Sequence, residues 1–75
     1  MSGLGVEVRE RPRLPARPIA VAIRRAAGIS QARLAQELGV HRGTVARWEL
    51  GIRHPRGARL AAYAALLDEL REATR

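Results

Sequence analysis

The sequence predicts an all-α fold, a compact four- to five-helix bundle preceded by a flexible N-terminal arm. Three observations carry that prediction. Apolar residues from Ile19 to Leu70 recur at spacings of three and four, and no stretch of any length alternates as a strand would. Gly28, Gly39 and Gly51 interrupt the pattern at intervals that a short helix fills. With 75 residues and no cysteine, the chain is one domain near the lower limit of what a single apolar core stabilises, without a disulfide or thiolate-metal site to help.

The elements follow in order. Residues 1–17, MSGLGVEVRERPRLPAR, hold two glycines, two prolines and alternating charge with little apolar surface, and so read as the arm. Residues 18–75 form the folded domain. Pro18 suits the first position of a helix, where a missing N–H costs nothing, and Gly28 is a natural stop. Ile19, Ala20, Ile23 and Ala27 then share an inward face. Ser30 is placed to cap a second helix over 31–38, whose Leu34, Ala35 and Leu38 point inward. Gly39 suits the left-handed backbone that ends a helix, and Val40 returns to the core. A third helix over about 42–50 buries Val45 and Trp48 and stops at Gly51. Pro55 prevents simple helical continuation through the loop IRHPR (52–56). The last helix spans about 58–73, with Leu60, Tyr63, Ala64 and Leu67 on one face and Leu66 and Leu70 beside it.

Charge is distributed as unevenly as the glycines. All 14 basic residues are arginine, opposed by 7 acidic residues, for a net charge of +7. A GC-rich genome favours arginine and alanine whatever the function, so the total says little. Position says more. Between Arg24 and Arg59 eight arginines face only Glu37 and Glu49, whereas residues 60–75 carry Arg71 and Arg75 against Asp68, Glu69 and Glu72. A local cationic excess points to a polyanionic partner, with nucleic acid the first candidate.

The stretch QARLAQELGVHRGTVARWELG (31–51) gives that partner a mode of binding. It resembles the helix-turn-helix of the phage repressor and Cro type, the XRE-like family. Ala35 stands where that motif packs its two helices closely, Gly39 matches its turn glycine, and Val45 matches the core position of its second helix. The flanking segments GISQ (28–31) and RWELG (47–51), followed by Pro55, are also similar to the family's signatures. The resemblance covers about residues 19–67 and implies a lambda-repressor-like bundle in which the third helix reads DNA. It places base-edge contacts at Arg42, Gly43, Thr44 and Arg47, and a phosphate contact at Gln31. It also implies an ion pair between Arg24 and Glu49 that ties the first helix to the third.

The residue chemistry is consistent with those roles. A helix about 10–12 Å across fits the major groove when its outward face carries donors and little bulk. Arg42 and Arg47 can each fork onto guanine O6 and N7, Thr44 can bond a phosphate or touch a thymine methyl, and Gly43 offers close approach without readout. The N-terminal amides at Gln31 suit a phosphate. Arg53 and Arg56 in the loop are natural phosphate partners, with Arg33 and His54 as additions; for Arg33 and Arg53 a solvated surface charge is the alternative. His41 stands at the N-cap of the third helix, where Ser or Thr would cap better, and is either a phosphate contact or a neutral surface histidine. Arg9, Arg11 and Arg13 either follow the duplex or belong to a tail without a role.

No catalytic residues, metal site or cofactor are expected. The chain has no cysteine nucleophile, no serine beside a usable histidine and acid, and no glycine-rich phosphate loop, and His41 and His54 lack companion ligands. No stretch reads as membrane-spanning or as a secretory signal, so a cytoplasmic protein of bacterial or phage type is expected. No small-molecule ligand is expected, because no segment reads as a ligand-sensing domain. The expected function is a sequence-specific regulator of double-stranded DNA, most simply a repressor acting as a homodimer on a near-palindromic operator. Leu66, Leu70 and Ala73 are the candidate dimer stripe, unless the two leucines merely cover the core. The alternatives are a protein-interaction module, such as an antitoxin or accessory subunit, and a phage recombination or excision accessory factor.

Overall fold

Four α-helices follow one another through residues 13–74, the part of the chain that the computed structural model describes. They are α1 (Arg17–Ala26), α2 (Gln31–Leu38), α3 (Arg42–Leu50) and α4 (Gly57–Ala73), and no strand occurs among the described residues. The expected bounds of the second and third helices agree with these. The last helix begins one residue earlier than expected, and the first runs from Arg17 to Ala26 instead of from Pro18 towards Gly28. Residues 1–12 of the expected arm, with Arg9 and Arg11, lie outside the described part. Leu14, also assigned to the arm, packs against the core, so the folded unit begins before Pro18.

The two shortest helices, α2 and α3, each end on a glycine with positive φ. At Gly39, φ is 69° and ψ is 31°, and the Val40 N–H donates to the Ala35 carbonyl at 3.0 Å. At Gly51, φ is 77°, and the Ile52 N–H donates to the Arg47 carbonyl at 3.0 Å. These six-to-one bonds satisfy carbonyls that would otherwise be orphaned, and a side chain at either position would meet the steric cost of left-handed backbone.

The core is built from every helix: Ala20 and Ile23 of α1, Leu34 and Ala35 of α2, Val45 and Trp48 of α3, and Tyr63 and Leu67 of α4. Leu34 and Val45 have no exposed surface. The Trp48 and Tyr63 rings join α3 to α4, with centroids 5.0 Å apart and planes tilted by 30°. α3 packs on α2 and α1, and α4 closes the bundle against α1 and α2.

One inward assignment is corrected. Ile19 is 49 % exposed, and Arg24 takes its place in the buried set. The buried residues of α1, Ala20, Ile23 and Arg24, are related by steps of three and four, so they form one stripe. Ile19, four residues before Ile23, stands at the edge of that stripe in the first turn of α1, about 100° from Ala20, and stays exposed.

Candidate nucleic-acid interface

The same packing that buries Val45 and Trp48 turns the opposite side of α3 outward. Arg42 and Arg47 are exposed, and Gly43 and Thr44 are partly so. α2 sets the tilt of α3. Its N-terminus is fixed by Ser30, whose hydroxyl oxygen accepts from the Arg33 N–H at 3.0 Å. Its far end turns tightly at Gly39, while the 2 % exposure of Ala35 reflects the close contact that a small side chain permits between the helices. His41, the N-cap of α3, makes no side-chain cap bond. Arg47 does not stand straight out from its helix: its guanidinium lies back over Gly43, where an added β-carbon would stand 3.4 Å from Nη1 and 3.9 Å from Cζ and Nη2.

Behind this face, Arg24 and Glu49 form a bidentate pair. Arg24 Nε donates to Glu49 Oε2 at 2.6 Å and Nη2 donates to Oε1 at 3.0 Å, while Nη1 donates to the Ile29 carbonyl at 2.8 Å. The two side chains are only 9 % and 7 % exposed. Gln31 joins them, its Nε2 donating to Glu49 Oε1 at 2.8 Å. Burial pushes the Glu49 carboxyl up, but the bonds from Arg24 and Gln31 together with the Arg24 and Arg25 charges outweigh it, and the carboxyl lies below the ordinary value. The expectation for Gln31 changes accordingly. One amide N–H is committed to Glu49, which leaves its second N–H and the first-turn backbone for a phosphate.

Beside the outward face of α3 lies an open concavity of about 830 Å³. Thr44, Arg47 and Trp48 form one wall, Ile52 to Pro55 and Arg56 the floor, and Arg59 of α4 the other wall. Its charged lining is wholly cationic among the described residues. Thus Thr44, Arg47, Arg53, His54 and Arg56 come together in one place. Arg59 is the member that sequence reading missed: it stands three residues after Arg56, and only the return of the loop onto α3 brings it alongside.

Other expected residues lie apart. Arg33 forms an exposed pair with Glu37, Nε to Oε2 at 3.2 Å, and lines a different groove with Ile29, Leu34, Glu37, Leu66 and Leu70. Leu66 and Leu70 are half-buried against the core, and Ala73 is exposed. Arg13 is exposed and borders a depression formed with Leu14, Ile23, Leu67, Asp68 and Arg71. Arg17 places its guanidinium against Gly51, where an added β-carbon would overlap it. That position puts a cation at the C-terminal, negative end of the α3 dipole. Among the described residues no group of three His, Cys, Asp or Glu side chains is placed to hold a metal, and no helix is long and apolar enough to cross a membrane.

A family model described as helix-turn-helix matches residues 22–72, more than half of the chain. The match takes in all of α2 and α3, the loop with Arg53 and Arg56, and nearly all of α4. No curated protein and no solved structure matches the chain.

Proposed function

We infer the function from one premise: this chain belongs to the helix-turn-helix family, in its phage repressor and Cro type. It is therefore a DNA-binding transcription regulator. Our reading goes further and makes it a sequence-specific repressor that binds a near-palindromic operator as a dimer. The observation that carries this reading is the continuity between the exposed α3 face, with Arg42, Gly43, Thr44 and Arg47, and the cationic concavity beside it.

In this reading α3 enters the major groove, and Arg42 and Arg47 fork onto guanines there. Thr44 bonds a base or the adjoining phosphate. Arg53, His54, Arg56 and Arg59 hold the phosphates that flank the groove, and the free N–H of Gln31 reaches another at the start of α2. Arg33 plays a smaller part, since Glu37 partly neutralises it. Phosphate contacts fix register and base contacts select sequence, so the two groups of arginines have separable effects. One helix reads few base pairs. A second copy, one turn of duplex or about 34 Å along, supplies the remaining specificity. Leu66 and Leu70 keep part of their surface beside exposed Ala73, and this strip is the self-association surface we propose. Repression follows because occlusion of a promoter needs no further contact surface.

The partner-protein alternative would be favoured by a large apolar patch on α4. The exposed large apolar side chains among the described residues are Ile19, Leu50 and Ile52, none of which is on α4, so the apolar surface proposed there is a narrow strip, the half-buried Leu66 and Leu70 with Ala73.

Selection of preferred duplexes from a random pool, followed by titration of variants, tests the assignment. Arg47→Ala is expected to relax preference at one base pair and leave helicity intact. Arg53→Ala and Arg59→Ala are each expected to weaken binding to selected and scrambled duplexes alike, and to reduce the salt slope by about 0.9. Equal losses on both duplexes for all three variants would refute the division of roles.

A further inference from the structure

Gly43 has no side chain to offer a base, yet it stands in the middle of the outward face of α3. Over the space that its missing side chain leaves lies the guanidinium of Arg47, at a distance where an added β-carbon would make ordinary van der Waals contact and a longer side chain would collide. Both residues are on one helix face, four positions apart, which is where a long side chain leaning towards the helix N-terminus meets its neighbour. Folding back over four residues carries the fork about 6 Å towards the N-terminus of α3. That distance is nearly two base-pair steps at ~3.4 Å each.

We propose that Gly43 is a specificity-determining residue that acts through Arg47: its bare backbone forms a shelf on which the Arg47 guanidinium lies, so that Arg47 reads a base pair beside the one read by Arg42. This rests on the DNA-reading role of α3 proposed above and adds to it the form of the target. Folded back over Gly43, the Arg47 fork stands near the end of the helix that bears Arg42, so the half-site should carry two G·C pairs at most two steps apart. An arginine at 47 on a helix with a larger residue at 43 would lose the shelf and point outward nearer the middle of α3. The charge of the face would be unchanged and its reading frame would not. Gly43 is therefore a positioning residue, and the arginine makes the contact.

The test is a double-mutant cycle read on the selected duplex and on its single-base-pair variants, using the full chain. Gly43→Ala leaves room for the guanidinium, and Gly43→Leu fills the shelf. Neither weakens the helix, because glycine is the poorer helix former, and circular dichroism should show equal or greater thermal stability. Arg42→Ala and Arg47→Ala are expected to erase preference at two G·C pairs no more than two steps apart. Gly43→Leu is expected to weaken binding to every duplex, since bulk at 43 opposes close approach, and beyond that to erase the Arg47-dependent preference, at about tenfold or more, while the ratio between duplexes that differ at the Arg42 pair is kept. Gly43→Ala should leave that preference nearly unchanged, because its β-carbon meets the guanidinium at ordinary contact. In the Arg47→Ala background, neither substitution at 43 should change that preference further. A full Arg47-dependent preference in Gly43→Leu overturns the proposal, as does an equal loss of preference in the Arg47→Ala background or a separation of more than two steps between the two read pairs. If the unaltered chain shows no preference for any duplex, the DNA-reading role itself fails and the shelf with it; preference that survives filling the shelf sinks only the shelf.

Discussion

Glu49 is where a single residue bears on both stability and the interface. Its carboxylate accepts from Arg24 twice and from Gln31 once, so two nearly buried charges are paired and their remaining capacity is used. Removing one partner leaves the other buried without compensation. Glu49→Ala should cost on the order of 3–5 kcal/mol, measured by urea unfolding, whereas replacing the pair together with apolar residues of similar volume should cost far less. The pH dependence has a definite sign. The folded carboxyl lies below its ordinary value of 4.5, so the fold favours the ionised form. This contribution is complete above the unfolded pKa and is lost as pH falls through the lowered folded value. Stability of the unaltered chain should therefore decline more steeply on acidification than that of the paired apolar variant. The pairing of Arg24 with Glu49 followed from position in the motif alone. The addition of Gln31 was not legible, because its first-turn location suggests a phosphate role and nothing in its type or spacing reveals a bond to a residue eighteen positions away.

At the scale of elements, the boundaries of α2 and α3 were readable because capping chemistry marks them. Ser30 can accept the Arg33 N–H, and Gly39 and Gly51 can adopt positive φ. Boundaries of α1 were less readable. Pro18 tolerates either of the first two helical positions, and Gly28 comes two residues after the last helical one instead of directly after it. The rotation of α1 was missed at Ile19 because a scan for apolar residues does not count a buried arginine as part of the stripe. The turn glycines carry a prediction of their own. Around Gly39 there is open space for a β-carbon, so Gly39→Ala should cost only the left-handed backbone strain, about 1–2 kcal/mol. At Gly51 the same strain comes with displacement of Arg17 from the end of α3. Gly51→Ala should therefore cost about 0.3–1 kcal/mol more than Gly39→Ala, and that excess should vanish when Arg17 is alanine. Equal costs in the Arg17 background and its alanine variant would show that the guanidinium contributes nothing there.

The whole molecule is organised by one division: a small apolar core shared by four helices, and a cationic surface gathered beside α3. The charge asymmetry along the sequence announced the second of these, and helical periodicity the first. The concavity itself could not be read, since Arg53, Arg56 and Arg59 come to line one hollow with Thr44, Arg47 and Trp48 only in the folded chain. Self-association belongs to this scale too. Ala73 is exposed beside Leu66 and Leu70 at the C-terminal end of α4, where a cation suits the helix dipole, so Ala73→Arg should leave helicity unchanged while shifting the chain towards monomer in sedimentation and weakening operator binding. Unchanged sedimentation would remove that strip as the dimer surface and leave the reading of DNA by α3 intact.

The central claim, that the outward face of α3 recognises a duplex by its sequence, is tested most directly by competition titration at about 0.15 M salt, with a selected duplex against a scrambled duplex of equal length and composition. We predict tighter binding to the selected duplex by about 10³-fold or more, with the advantage reduced at one base pair in Arg47→Ala. Equal affinity for the two duplexes, falling in parallel as salt is raised, would contradict it.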